Sequence, residues 1–446
     1  MKRGASSQVD AMKNTRHLKG FLYCALTMIF FGAGLAGAAT PETLETAWEE
    51  ALSGNLGIQA ALEEQLAAKA QVKGARAQRI PNFALAAKHL KLDSPPTITT
   101  NFALGGPLSV TYWDEESTYY GASTTLPLYT GGRISADIAA AEAQQSAATA
   151  NTSQTISAIK LTVAAAYIEV LRAQSSVKVA QGHVKSLASH RNDVNNLLRQ
   201  GLVARNQLLM ADVSLAGARQ ARLQAQHQLE LAGMEYNRLL NRPLDTTFEL
   251  MPIQPQPVTQ SLSELDSQAL DRRADLKTLT YRATVLEKNA QVARAASKPQ
   301  VGLTGTYLHH DNRILNDNDI LAAHVTMAWQ VFDGGITGQR GRQFQHQAAA
   351  VKARQEELKA LISQQIRAAW LAVDTARERQ RLAGLNIEQA EENLRTAKNR
   401  YRSGLITSTE VFEAERLRIQ AHHDLDNALH DSVLATLQLK HAAGIL

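Results

Sequence analysis

The side chains able to do covalent or metal chemistry are few in this sequence, and their spacing works against it. Two histidine pairs stand out, His309-His310 and His422-His423. The first falls in a segment expected to be an outer loop. The second lies in a helical stretch, where adjacent residues point to different faces and do not close on one ion. Gly335, Gly338 and Gly341 recur at every third residue, the wrong spacing for a dinucleotide-binding turn, at what reads as a helix start. The chain contains no phosphate-binding glycine loop, no H-E-x-x-H, no G-x-S-x-G and no C-x-x-C. Its single cysteine, Cys24, sits in an apolar run near the N-terminus, so no disulfide or thiolate metal site is expected in the mature chain. No group of polar residues converges by spacing on one apolar pocket. Neither an enzyme nor a cofactor or metal protein is expected.

Charge narrows the class further. The formal net charge is +5 over 446 residues. The stretch Met1–Ala39 carries Lys2, Arg3, Lys13, Arg16 and Lys19 against Asp10, a net of +4, which leaves +1 for the rest. No basic field remains to hold a nucleic acid. The same stretch has a basic start, the apolar run Phe21 to Leu35 and the small residues Ala36-Gly37-Ala38-Ala39. That is the pattern of a secretory signal peptide over residues 1–39, with cleavage expected near Ala38 or Ala39. The apolar run is short for a retained helical anchor. No later run is long enough to cross a membrane as a helix, so any membrane residence must be through β-strands.

The elements that position these residues are written twice. Leu128-Tyr129-Thr130-Gly131-Gly132 matches Val331-Phe332-Asp333-Gly334-Gly335, and Arg199-Gln200-Gly201-Leu202 matches Arg402-Ser403-Gly404-Leu405, both at a shift of 203. Ala51-Leu52 matches Ala269-Leu270, and Pro81 matches Pro299, at a shift of 218. The difference is a net insertion of 15 residues in the first copy between Pro81 and Gly131. Two constant offsets indicate duplication: a first repeat over 40–240, a proline-rich linker over 241–260 and a second repeat over 261–446. Each repeat opens with a helical stretch, roughly Pro41–Arg79 and Ser261–Ser297, followed by two alternating segments. A very long stretch of good helix formers then runs on, interrupted once by a Gly-Leu pair. Arg133–Gln200 contains no proline, and as one helix it would extend roughly 100 Å. Ile156, Ile159, Leu161, Val163, Ala166, Tyr167 and Val170 mark a coiled-coil stripe along it.

The alternating segments read as four strands. In Asp319–Phe332, Leu321, Ala323, Val325, Met327, Trp329 and Val331 fall on one face, with Ala322, His324, Thr326, Ala328 and Gln330 on the other. Val301–Tyr307 and Tyr120–Leu128 alternate similarly, and a segment at Phe83 does so more weakly. An apolar face opposite a small or polar one is the pattern of a lipid-facing barrel strand, and equally of a sandwich edge. Phe83, Phe102, Tyr112, Trp113, Tyr119, Tyr120, Tyr129, Tyr307, Trp329 and Phe332 cluster in these segments, as interfacial girdles require. Four strands cannot close a barrel in lipid without leaving backbone groups unpaired, so several chains must share one.

The strand–glycine pair–long helix junctions, the two Arg-x-Gly-Leu turns and the duplicated Ala-Leu…Pro helix together resemble the TolC-like outer-membrane efflux proteins, over essentially the whole mature chain. The resemblance implies a mainly α fold with a small β part. Very long antiparallel helices would form a coiled-coil α-barrel, and four β-strands per chain would contribute to a shared twelve-stranded trimeric outer-membrane β-barrel. It implies a homotrimer in the outer membrane of a Gram-negative bacterium, in contact with its lipid and with a periplasmic helical tunnel. Such a protein is a passive channel for tripartite efflux or type I secretion, docking onto a periplasmic adaptor and an inner-membrane pump.

By the same resemblance, the tips Gly201, Leu202, Gly404 and Leu405 match the adaptor contact. Glu410 and Glu413, six and nine positions after the second tip glycine, match acidic gate residues, and Tyr401 matches a gate tyrosine. In a trimer the two glutamates would make carboxylate rings that favour cations; a solvated acidic face paired with Arg416 or Arg418 is the other reading. The family's gate arginine is replaced here by Ile406, and its partner acid by Gln207, so the family's ionic latch is not expected in that form. A periplasmic coiled-coil adaptor would need only one hairpin and a lipoyl-like β module, and a purely structural coiled coil leaves the aromatic-rich hairpins unexplained.

Overall fold

The computed structural model describes residues 41–102, 105–311 and 317–446; the expected leader, its cleavage position and Cys24 lie outside them. The described residues divide into two compact units, residues 41–43 with 247–251, and residues 44–246 with 252–446. In the first, the Glu42 N–H donates to the Glu249 carbonyl (2.7 Å) and the Met251 N–H donates to the Glu42 carbonyl (2.9 Å), forming a single parallel bridge. The second holds every helix and strand described below.

The two opening helical stretches are each broken in two. They form α1 (Leu44–Gly54) and α2 (Leu56–Ala77) in the first half, α5 (Leu262–Arg272) and α6 (Ala274–Ala295) in the second. The first break is made by a capping residue. Asn55 takes an extended conformation, and its Oδ1 accepts hydrogen bonds from the N–H groups of Gly57 and Ile58. Asparagine offers the backbone this alternative to helical continuation. Its Nδ2 donates to the carbonyl of Leu239 at 2.8 Å. At the other break the Arg273 guanidinium pairs with Asp275 and reaches the carbonyl of Ala442 at 3.5 Å. Each break therefore sits where the C-terminal end of a later helix arrives.

Those later helices are the rods. α3 (Arg133–Arg199) and α7 (Ile336–Arg402) have 67 residues each, about 100 Å at the α-helical rise. α4 (Arg205–Leu239) and α8 (Ser408–Ala442) have 35 each. The bounds of α7 and α8 are those of α3 and α4 shifted by 203, and those of α5 and α6 are those of α1 and α2 shifted by 218. α2 and α4 both pack on α3, while α6 and α8 pack on both α3 and α7. With 22 and 35 residues, α2 and α4 meet end to end at Asn55 and together nearly match the length of α3. The packed positions thus follow the order α2 with α4, then α3, then α6 with α8, then α7. Of the stripe read from the sequence, Val163, Ala166, Tyr167 and Val170 are buried, and Ile156, Ile159 and Leu161 are half-buried. The interfaces are rich in alanine, which lets backbones approach closely: Val72, Ala75, Ile134, Ile138 and Ala141 make one such cluster.

Four strands, β1 (Asn82–Lys91), β4 (Glu116–Tyr129), β5 (Gln300–Asp311) and β6 (Asp319–Ala328), form one antiparallel sheet in the order β1-β4-β5-β6. A separate hairpin, β2 (Thr97–Phe102) with β3 (Gly106–Thr111), lies in the first half between Pro81 and Gly131, where the sequence carries its insertion. The last strand ends at Ala328 rather than Phe332, because the Trp329 indole N–H turns to donate to the carbonyl of Ser297 at 3.1 Å. The pairing register puts Leu85, Ala122, Tyr307 and Leu321 in one row across the sheet, with Phe83, Tyr120, Leu303, Val325 and Met327 on the same face. The other face carries Ala86, Lys88, Gly121, Ser123, Thr125, Thr304, Thr306, His324 and Thr326. Leu321 is 85% exposed, so the apolar face has no cover within this chain.

The glycine pairs join strand to rod. Gly131 has φ 62°, and a Cβ there would stand 2.7 Å from the Lys298 Cβ and 2.9 Å from the Ala295 carbonyl oxygen. In the second half Asp333 caps α7, its Oδ1 accepting from the Gly335 N–H and its Oδ2 from the Thr337 N–H, both at 2.8 Å. Gly131→Ala should lower the thermal midpoint of the folded protein through both the left-handed conformation and the clash, at a cost above about 1 kcal/mol; an unchanged midpoint in differential scanning fluorimetry would contradict the close approach.

Candidate functional site

The two helical hairpins turn at their tips by one construction used twice. The Leu202 N–H donates to the Leu197 carbonyl and the Gly201 N–H to the Leu198 carbonyl, both at 2.9 Å. In the second hairpin Leu405 donates to Arg400 and Gly404 to Tyr401, again at 2.9 Å. This is the paired terminating bond of a helix whose next residue is left-handed. Gly201 and Gly404 supply it at φ 76° and 72°. The leucines that follow each glycine, Leu202 and Leu405, are each 68% exposed.

Behind the tips the hairpins are held together by a mixed cluster. Val194, Ala211, Leu394, Ala397, Tyr401, Val411 and Ala414 are buried together, with Ile406 and Phe412 against them. Ile406 is thus part of an apolar contact. Tyr401 is buried, and its hydroxyl donates to Gln207 Oε1 at 2.9 Å. The same oxygen lies 3.2 Å from Ser408 Oγ, which donates to it. A neutral amide therefore ties the start of α4 to the end of α7 and the start of α8. Arg402 pairs with Asp193 at 3.0 Å and Arg191 with Asp212 at 2.9 Å, adding ties from α3 to α7 and α4.

Glu410 and Glu413 are both exposed, on the first turns of α8. Glu410 closes a capping box with Thr407, so one of its oxygens accepts from the Thr407 N–H at 3.3 Å. Glu413 is paired with Arg416 at 2.7 Å, one turn further on. The structure gathers Tyr401, Gln207 and Ile406 into one cluster and leaves Glu410, Glu413, Leu202 and Leu405 facing outward.

A second polar cluster, deeper along the rods, was missed in the sequence. Glu415 has a side chain only 2% exposed; it accepts from Ser186 Oγ at 2.6 Å and pairs with Arg418 at 2.7 Å. Lys398 donates to the same Ser186 hydroxyl at 2.6 Å, and Arg418 also reaches Glu391 at 3.4 Å. Three helices are thereby pinned through one buried carboxylate, and removing one partner of such a group costs about 3–5 kcal/mol. The sequence offers only an acid three residues before an arginine, a spacing that the exposed Glu413–Arg416 pair shares.

The sequence profile of the outer membrane efflux protein family matches residues 47–241 and 265–445, nearly the whole of the described chain. The chain belongs to this family. The fold agrees with solved channels. It is similar to the outer-membrane channel OprN, with 22% identity, a TM-score of 0.75 and coverage of 90% of this chain and 89% of that one. It is also similar to VceC of Vibrio cholerae (19%, TM-score 0.76, 90% and 96%) and to the open state of MtrE of Neisseria gonorrhoeae (19%, 0.73, 90% and 88%). No curated protein sequence matches the chain. The protein is an outer-membrane efflux protein with the fold of the solved outer-membrane channels. Among the described residues no helix is long and apolar enough to cross a membrane, and no cluster of three metal-ligating side chains occurs.

His309, His310 and His422 of this efflux protein are taken up in local contacts. His309 and His310 lie in β5 rather than in a loop, because the strand runs on to Asp311 and pairs them with Tyr120 and Tyr119. His422 contacts Glu391 at 2.7 Å. His190 is buried at the tip, edge-on to Tyr401 and Phe412 at 4.8 and 5.3 Å between ring centres. Burial pushes its pKa down to about 4; Asp193 and Glu415 pull it up, and Lys398 and Arg402 push it further down. Below pH 6.5 the unfolded chain takes up a proton that the folded tip refuses until about pH 4, so stability falls with pH across that window and is level above it. The full loss is at most about 3 kcal/mol. Amide exchange at the tips, corrected for intrinsic rates, should quicken between pH 6.5 and 5, and His190→Phe should remove that part of the dependence.

Proposed function

We propose that three copies of this chain share one twelve-stranded barrel and one tube of rods, forming a passive duct for a tripartite efflux or type I secretion system. The observation that carries this reading is a coincidence of two orders. β1 follows α2, β4 precedes α3, β5 follows α6 and β6 precedes α7, so the sheet order β1-β4-β5-β6 repeats the order of the rods. The open edges of the sheet and of the helical layer are therefore made by the same chain segments. One contact with a neighbouring copy closes both. Exposed apolar residues mark those edges: Leu209 and Val213 on α4, Leu371 and Leu385 on α7.

The duplication supports the register of that contact. Gly131 packs against Ala295 and Lys298 at the end of α6, whereas nothing lies within 4 Å of a Cβ on its counterpart Gly334. The segment that stands to Gly334 as α6 stands to Gly131 is the end of α2 in the next copy, about Ala77–Ile80. The two repeats, 40–240 and 261–446 joined by 241–260, then alternate around the ring, the leader having been removed on export. Gly334→Ala should leave the protomer folded by circular dichroism yet reduce the heat-resistant oligomer on gels; an undiminished oligomer would refute the register.

The helix tips close the periplasmic end of the duct. Tyr401, Gln207 and Ser408 form a neutral latch in place of the ionic one that the family resemblance implies, and Ile406 adds apolar contact. Leu202 and Leu405, exposed beside the tip glycines, are the contacts for a periplasmic adaptor, through which an inner-membrane pump opens the gate. Glu410 and Glu413 line the constriction. With Arg416 beside Glu413, each chain brings a net charge of −1 to that level. The double variant Glu410→Ala/Glu413→Ala changes this to +1, so reversal potentials in planar bilayers should move from cation to anion preference. Unaltered selectivity would remove the gate assignment.

A further inference from the structure

The small-and-polar face of the sheet, which lines the lumen if the proposed barrel is correct, carries one patch unlike the rest. Toward the outer end of the sheet, Tyr119 of β4 and His310 of β5 stack at 4.2 Å with an interplanar angle of 10°. Trp113, from the connection between β3 and β4, folds over both at 6.4 and 6.1 Å between ring centres. Beside them lies a cavity of about 380 Å³, walled by Trp113, Tyr119 and Leu308 and floored by Ala86 and Gly121, with Lys88 at its side. A Cβ at Gly121 would stand in ordinary contact with Leu308 Cδ1 at 3.7 Å, so a longer side chain there would enter the slot. The hydroxyl of Tyr119 is buried and has no hydrogen-bond partner among the described residues. Lys88 has no carboxylate partner there, in contrast to Lys91, which pairs with Glu116 at 2.5 Å.

We propose that this slot is an exit-side subsite for aromatic anions, a planar ring entering between Trp113 and Leu308 while its carboxylate meets the Lys88 ammonium. The volume suits one ring system with a short substituent. Stacking on Trp and Tyr faces supplies selectivity for aromatic over aliphatic cargo. A single ammonium, with no acid in the lining, selects anion over cation. The site is open on the lumen side and offers one charge, so binding is weak, as an exit path requires for release. The two ends of the duct then differ in sign: carboxylates at the tip gate and a cationic aromatic slot near the mouth.

The test uses the full-length protein in detergent and the fluorine NMR linewidth of 4-fluorobenzoate, with 4-fluorobenzylammonium as the matched cation. Saturable broadening of the benzoate alone is expected. It should weaken at least fivefold in Lys88→Gln, recover in Lys88→Arg and vanish in Gly121→Leu, whose side chain fills the slot. Partition into micelles is not saturable and is the same for all variants. Broadening that survives both Lys88→Gln and Gly121→Leu, or that is equal for the ammonium, overturns the proposal. Because this readout needs no conduction, it separates the two ideas: a wild-type protein that binds benzoate but never conducts in bilayers sinks the duct and leaves the slot.

Discussion

A strand at the edge of a sheet carries backbone donors and acceptors that only water or another strand can satisfy, and hydrocarbon supplies neither. The sheet here has two such edges, β1 and β6, with an apolar face that includes Leu321, Val325 and Met327 between them. Most of the other features follow from that unmet demand. On the proposed reading, a strand count of four makes the chain a fraction of a barrel. The rods inherit the same order because each strand is joined to its rod through a glycine pair or a short turn, with too few residues to cross over.

The same logic accounts for the asymmetry within the helical layer. α3 is packed from both sides, by α2 with α4 and by α6 with α8, and buries apolar residues along most of its length. α7 is packed from one side only and keeps leucines such as Leu371 exposed. Two copies of one sequence segment have come to occupy an interior and an edge position. Their divergence is chemical as well: Gln207 and Met210 stand in the first copy where Glu410 and Glu413 stand in the second. Duplication supplied two hairpins, and these two positions carry carboxylates in only one of them.

The tip itself combines two kinds of restraint. The neutral bond from Tyr401 to Gln207 and the packing around Ile406 are worth about 1 kcal/mol each and break readily. The buried Glu415 with Arg418 and Ser186 is costly to disrupt once made. A soft contact at the extreme tip over a firm one further along the rods suits the proposed gate, which moves at one end while its base holds.

The sequence alone determined the periodic features: the two shifts, the rod lengths, the four strand segments and the glycines at the turns, since these depend on local pattern and on residues that only one conformation suits. The tertiary structure decided what depends on partners distant in sequence. Asn55 breaks a helix because Leu239 arrives beside it, Trp329 leaves its strand for Ser297, His310 joins a stack with Tyr119, and Glu415 is buried because Ser186 and Arg418 converge on it. Helical periodicity could place Glu415 on a face but could not say what that face would meet, and the free energy of a buried charge depends on its surroundings rather than on its neighbours in the chain.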